Sequence, residues 1–226
     1  MLAGNATYSA PGDLPATVPL FPLTGAVLLP KAQMPLNIFE PRYVAMIDAA
    51  LKGDRVVGMI QPDFNVGGTA GDDTPPLVTV GCLGRIVAYQ ETGDGRYLVT
   101  LTGIARFTLE EELETVTPYR IGRISVADFT MDFDTGCGES AVDREGLVKA
   151  LRIYLDANDL EADWESIDRA STEVLVNALS MMSPYGPAEK QALLEAPDLR
   201  TRAETLVALT EVDLARREGD DGMILQ

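Results

Sequence analysis

The chain holds no histidine, two cysteines (Cys82 and Cys137) and four lysines (Lys31, Lys52, Lys149 and Lys190). Without an imidazole, the Ser-His-Asp and Cys-His routes to an activated nucleophile are closed. Two thiols fill a four-coordinate zinc site only if two carboxylates join them. A Ser-Lys dyad needs no histidine, but no lysine stands near a serine in a strand-turn-helix setting. Asp132-Phe133-Asp134-Thr135-Gly136 opens like a calcium loop, with Asp143 at its twelfth position. Its fifth position is Gly136, Cys137 stands where the turn glycine belongs, and it closes on Asp rather than bidentate Glu. All three depart from the ligand pattern, so calcium is not expected. No G-x-x-x-x-G-K-[ST] loop is present, and the glycines of 67–71 run into Asp72-Asp73, which repel phosphate. The acids Glu110, Glu111, Glu112 and Glu114 read as a solvated strand end.

No cofactor or metal is therefore expected, and what remains is binding. Arg85, Arg96 and Arg106 are scarce cations able to grip carbonyls or carboxylates through forked hydrogen bonds. Met34, Pro35, Leu36 and Phe39 form an apolar stretch suited to line a peptide groove.

The elements that position these residues change character part-way along. The first half has β-branched runs broken by Gly and Pro. Val18 to Leu23, with two prolines, reads as an edge strand or extended lead-in. Ala26 to Leu29 reads as a short strand stopped by Pro30. Pro41 suits the first turn of a helix, and Tyr43, Met46, Ile47, Ala50 and Leu51 share one face of it. Strands follow at Arg55–Ile60 and Leu77–Gln90, separated by a Gly/Pro-rich loop over 61–76. Thr92-Gly93-Asp94-Gly95 is a hairpin turn. One strand runs from Tyr97 and another follows Gly103. The apolar phase of Tyr119 and Ile121 slips before Ile124 and Val126, which predicts a bulge near Gly122-Arg123. Several short strands, turns and bulges with one helix imply a curled, mainly antiparallel sheet or barrel.

The second half has helical periodicity. Leu147, Leu151, Tyr154 and Leu155 share a face. Asp163 caps a helix whose inner face carries Ile167, Ala170, Val174, Leu175, Ala178 and Met182. Pro187 opens a short helix that ends at Pro197, and Asp198 caps the last one. These read as a helical bundle with short connections.

The 226 residues suffice for one large or two small domains. With 35 acids against 18 bases the formal charge is −17, which argues against a nucleic-acid partner. Residues 1–126 carry −4 of it and residues 127–226 carry −13. No apolar run is long enough for a membrane span. The first 17 residues lack a basic n-region and a long apolar core, so no secretory leader is expected. A cytoplasmic protein is the expectation.

The stretch PLFPLTGAVLLPKAQMPLNIFEPRYVAMIDAAL, 19–51, resembles the opening of the N-terminal domain of Lon proteases. The most telling part is PLNIFEPRY, 35–43. Gly81-Cys82-Leu83-Gly84, Gly95-Arg96-Tyr97, Leu101 to Phe107, Pro118-Tyr119-Arg120 and EKQALLEAPDLRTRAETL, 189–206, extend the resemblance over about residues 18 to 210. It implies an α+β fold: a PUA-like β pseudo-barrel with an embedded helix, then a C-terminal α-helical bundle. The expected organisation is a disordered tail over 1–17, a barrel over 18–128, a linker over 129–140, a bundle over 141–217 and a frayed tail over 218–226.

The resemblance further implies a non-catalytic polypeptide-binding or adaptor role, since the family's ATPase and Ser-Lys peptidase reside in other domains. A stand-alone member without those domains is the expectation. Its implied partners are unfolded or tagged polypeptides, with a separate protease or ATPase beside them. Candidate binding residues are Met34, Pro35, Leu36, Phe39, Arg42, Arg85 and Arg106. The alternatives are a PUA-like domain for a small molecule or RNA, and a peptidase in its own right.

Overall fold

The computed structural model describes residues 1–63 and 75–223, with side chains up to 216. The loop expected over 61–76 therefore lies largely outside the described residues. The chain divides into two compact units. One comprises Met1–Thr135 with Pro184–Leu194, the other Gly136–Ser183 with Glu195–Gln226.

The first unit is built on strands. Two short ones, β1 (Leu2–Ala3) and β2 (Ala6–Thr7), form a small antiparallel pair. The main sheet comprises β3 (Thr17–Pro22), β4 (Gln33–Ile38), β5 (Val56–Ile60), β6 (Val80–Glu91), β7 (Tyr97–Leu113) and β8 (Ile121–Ser125). Their order is β4-β7-β6-β5-β3-β8, and β8 also pairs with β7. Five strands thus close into a barrel, and β4 stands outside the closure. Among the described residues, only the β3–β5 pairing is parallel.

The closure depends on the length of β7. Its 17 residues were expected as two strands parted at Gly103, yet they run continuously. The first part, Tyr97–Thr102, carries β4, and the last part, Thr108–Leu113, carries β8. β3 tolerates its prolines because its two halves pair with different strands. Thr17–Pro19 pair with β8, and Leu20–Pro22 pair with β5, so few N–H groups are demanded of any one residue. The expected bulge exists, but on the partner strand. Glu110 of β7 is the extra residue between the Leu109–Ile124 and Glu111–Arg123 pairs.

Other segments differ from expectation. Ala26–Leu29 is not a strand, yet Val27, Leu28 and Leu29 are buried. The strand falls instead on Gln33–Ile38. The first 17 residues are not a disordered tail. Ala3 and Tyr8 join the barrel core with Val18, Leu20, Leu83, Ile104 and Phe107. The Tyr8 N–H donates to the Met1 carbonyl, and the Met1 amine donates to that of Tyr8. Apolar burial outweighs the local Gly/Pro content here.

The helix α1 (Pro41–Lys52) lies between β4 and β5 in sequence and buries Tyr43, Met46, Ile47 and Ala50 of the expected face, with Leu51 half-buried. Its end is set two residues beyond Gly53: Arg55 adopts φ 60° and donates its N–H to the Ala50 carbonyl.

After the barrel, a 3-10 turn over Ala127–Phe133 buries Asp132 and Phe133, so the expected linker is ordered there. A second turn spans Glu139–Ala141. The helices are α2 (Arg144–Ala157), α3 (Trp164–Arg169), α4 (Thr172–Met182), α5 (Pro187–Glu195) and α6 (Leu199–Met223). The single helix expected from Asp163 to Met182 is broken at Ala170, whose ψ is 141°, and Ser171 caps α4 by accepting the Val174 N–H. Val174 and Met182 are exposed rather than on the inner face. Most of α5 belongs to the strand unit, where the Gln191 side-chain amide donates to the Val80 carbonyl and its oxygen accepts from the Gln61 side-chain amide. The tail expected over 218–226 is helical through Met223, and 224–226 lie outside the described residues.

Asp198 caps α6, its carboxylate accepting the Thr201 N–H at 2.7 Å. That bond holds its carboxyl below the ordinary value of 3.8. Because the folded value is the lower one, the contribution is complete above the ordinary carboxylate range and fades as pH falls through the lowered value. Asp198→Ala is therefore expected to cost about 1 kcal/mol in urea unfolding at pH 7. The gap from wild type is expected to be smaller at pH 3; a gap that does not shrink contradicts the capping account.

Candidate functional site

The site is built around β4 and the strands beside it. Each β4 residue pairs with one of β7: Pro35 with Thr100, Leu36 with Val99, Asn37 with Leu98, Ile38 with Tyr97. The β6 partners continue the rows, with Ala88 opposite Thr100, Tyr89 opposite Val99 and Gln90 opposite Leu98. Directly paired residues share a face, and successive residues alternate. Two faces follow. Val99 and Ile38 are buried on the inner one, with Leu36 half-buried. Pro35, Asn37, Ala88, Gln90 and Leu98 are exposed on the outer one.

This region forms a shallow concavity of about 520 Å³, lined by Pro35, Leu36, Asn37, Ala88, Tyr89, Gln90, Leu98, Val99 and Thr100. None of these carries a charge, in a chain of net charge −17. Leu98 is 45% exposed and Tyr89 37%. Phe39, the residue after β4, is 61% exposed. The lining holds no carboxylate, ammonium, guanidinium or thiol, and among the described residues no group of three or more His, Cys, Asp or Glu side chains is placed to hold a metal ion. The arrangement offers apolar area and strand backbone, the ingredients of polypeptide recognition.

At the inner face, Tyr89 and Tyr97 meet edge to face with centroids 4.9 Å apart. Tyr97 donates its hydroxyl to Asp48 of α1 and Tyr89 donates to Glu91, both at 2.9 Å. Both phenols are shifted upward. For Tyr97 the Asp48 hydrogen bond is the main cause, and for Tyr89 desolvation comes before its bond to Glu91. They stay protonated, and the pair braces the end of β7 against α1.

The expected binding residues separate. Pro35 and Phe39 are exposed, whereas Met34 and Leu36 turn to the inner face and are half-buried. Arg42 pairs with Glu40 at 2.9 Å and lies over the Tyr43 ring at 4.6 Å. It edges a second, smaller cleft of about 250 Å³ shared with Pro22, Tyr43, Pro118, Tyr119 and Arg120. Burial raises the Tyr43 phenol.

Two of the expected arginines are engaged within the fold. Arg106 is 2% exposed. Its Nε and Nη2 donate to both oxygens of Asp132 at 2.9 Å, its Nη1 donates to the Leu194 carbonyl, and it lies over the Phe129 ring. Arg85 is half-buried and donates to the Tyr8 hydroxyl, the Asp54 carbonyl and Asn5. It ties down the N-terminal segment. In both cases the acids and carbonyls that claim the cation come from remote positions, which spacing does not reveal. Tyr89 and Leu98 were missed. The available signal for Leu98 was its apolar character in a strand phase otherwise held by Thr100 and Thr102.

Residues 17–211 match the family model for the ATP-dependent protease La (LON) substrate-binding domain. The chain belongs to this family. It is 31% identical to the Lon protease of Parabacteroides distasonis over 201 residues, 84% of this chain and 23% of that protein. The Lon protease of Desulfosudis oleivorans is 33% identical over 209 residues, 86% and 24% of the two chains. The chain thus spans about a quarter of the length of these relatives.

Among solved structures, the Lon N-terminal domain protein from Xanthomonas campestris aligns with TM-score 0.58 at 21% identity, covering 85% of this chain and 97% of the other. The N-terminal domain of the Mycobacterium avium complex Lon protease aligns with TM-score 0.59 at 20% identity, covering 86% and 98%. At these identities the likeness concerns the fold: the expected α+β class with a strand barrel and following helices holds. Among the described residues, no helix is long and apolar enough to cross a membrane.

Proposed function

We propose that this chain is a polypeptide-recognition module that holds unfolded or tagged segments without itself catalysing a reaction. The observation that carries the reading is the uncharged concavity of β4, β7 and β6, with Leu98 and Phe39 exposed beside it and Tyr89 partly exposed at its inner side, in a strongly acidic chain. Exposed apolar area rimmed by polar surface is a mark of an interaction site. Family membership supports the same reading, because the matching domain is named for substrate binding. A separate protease or ATPase would act on what this module holds, and the module would need no cofactor.

The test is binding of a chemically unfolded, alkylated protein, followed by fluorescence anisotropy. Leu98→Asp and Phe39→Asp are each expected to weaken it on the order of tenfold. Both side chains are exposed, so the unfolding midpoint should stay within about 0.5 kcal/mol of wild type. Folded wild-type protein that binds no unfolded chain at tens of micromolar would overturn the proposal.

A further inference from the structure

Strand β4 has a neighbour on one edge only: among the described residues it pairs with β7 and with no other element. The direction of its free backbone groups follows from the ladder. The Gly103 N–H donates to the Ala32 carbonyl, so Ala32 and Gly103 face one another as a bonded pair. Bonded and non-bonded pairs alternate in an antiparallel ladder. Met34, Leu36 and Ile38 then spend their backbone groups on β7. Gln33, Pro35 and Asn37 point theirs away from the sheet. This phase explains why a proline is tolerated at 35: the N–H it lacks belongs to the outer edge, not to the ladder. The same three residues have exposed side chains.

An open edge of this kind presents two donors, on Gln33 and Asn37, and three carbonyl acceptors. Beside it lies the uncharged outer face with Pro35, Ala88 and Leu98.

We propose that the outer edge of β4 receives an extended segment of a bound polypeptide as an added strand, with alternate apolar side chains resting on the outer face beside Pro35 and Leu98. The proposal rests on the polypeptide-recognition reading above and specifies its mode. Main-chain bonds recognise any extended sequence, which suits a module that must accept many unfolded chains. The occupant is a neutral or basic apolar segment rather than a second copy of this chain. Each copy carries −17, and two copies repel one another. Pairing of β4 with β4 would also oppose only six residues to six, well short of the roughly 1,200 Å² that a stable dimer buries. Pro35 subtracts a donor from each side of such a pair.

The experiment uses the full chain and a short peptide of alternating valine and threonine with a lysine at each end. Two further peptides carry N-methyl groups on alternate amides, one set on the odd positions and one on the even. Their side chains are unchanged, but each has one edge stripped of donors. Strand addition predicts that only one of the two methylated peptides loses at least tenfold in affinity. It also predicts that Asn37→Pro, which removes an outward N–H, weakens the parent peptide by a comparable factor. Equal affinities of the two methylated peptides would overturn strand addition and leave the recognition reading standing. So would an unfolded protein that binds while the parent peptide does not. Failure of both peptide and unfolded protein would overturn the recognition reading itself. A dimer that sediments as such and is dissociated by the peptide would replace the proposed occupant by a second copy.

Discussion

Asp132→Ala is expected to lower stability by about 3–5 kcal/mol, the cost of leaving a buried guanidinium without its partner. Arg106 and Asp132 are 2% and 7% exposed, and the carboxylate takes three hydrogen bonds from Arg106: from Nε, from Nη2 and from the backbone N–H. The pair fastens the 3-10 turn over Ala127–Phe133 to the middle of β7, and the Leu194 carbonyl takes a further bond from Nη1. Removing the acid takes the acceptor from Nε, Nη2 and the backbone N–H at once. Changing Arg106→Leu and Asp132→Leu together removes both charges, so the double variant should recover part of the loss. Recovery stays incomplete, because the Arg106 N–H still loses its acceptor. Urea unfolding of the three proteins measures this. An Asp132→Ala protein within about 1 kcal/mol of wild type would show that the pair contributes little.

Gly103→Ala is expected to cost about 3 kcal/mol, the upper part of the range for overpacking a core. A Cβ at Gly103 would overlap the carbonyl oxygen of Leu29 and come within 3.3 Å of the Leu28 side chain. The obstacle is a backbone carbonyl that is itself engaged, as it accepts the Ala32 N–H. A rotamer change cannot relieve it. Gly12→Ala serves as the control. No atom lies within 4 Å of its added Cβ, and the expected change is below about 0.5 kcal/mol. If both variants unfold alike, the close passage of Leu29 over β7 is not the reason for glycine at 103.

The helix α1 was legible because its two determinants are local. Pro41 fixes the start, and the spacing of Tyr43, Met46, Ile47 and Ala50 fixes the face. Barrel closure was legible only as a tendency. Composition predicts strands and bulges, but it does not say that β7 serves two neighbours along one run, with Glu110 as the extra residue. The stretch from Ala26 to Ile38 was misread for a related reason. Val27, Leu28 and Leu29 carry the apolar signal of a strand but are buried without a ladder, while the true strand contains Pro35, which local rules discourage. Its edge position lifts that objection, and edge position is a tertiary fact.

The candidate site was half legible. The apolar run Met34–Phe39 marks the place, yet alternation sends Met34 and Leu36 inward and leaves Pro35 and Phe39 to face outward. The arginines could not be sorted by sequence, since Arg106 is silenced by an acid 26 residues away and Arg85 by a tyrosine 77 residues away.

The placement of α5 also sets an order of events during synthesis. Residues 184–194 belong with the strands, where Leu193 and Leu194 are buried and Gln191 bonds to Val80. A ribosome must therefore have delivered the whole of 136–183 before the strand unit can acquire its last piece. Until then Val80, Gln61 and Arg106 lack the partners that Gln191 and Leu194 supply, and the nascent barrel meets the chaperones that attend emerging chains without them. A chain stalled before residue 184 would be the vulnerable species, and one released after residue 194 would not.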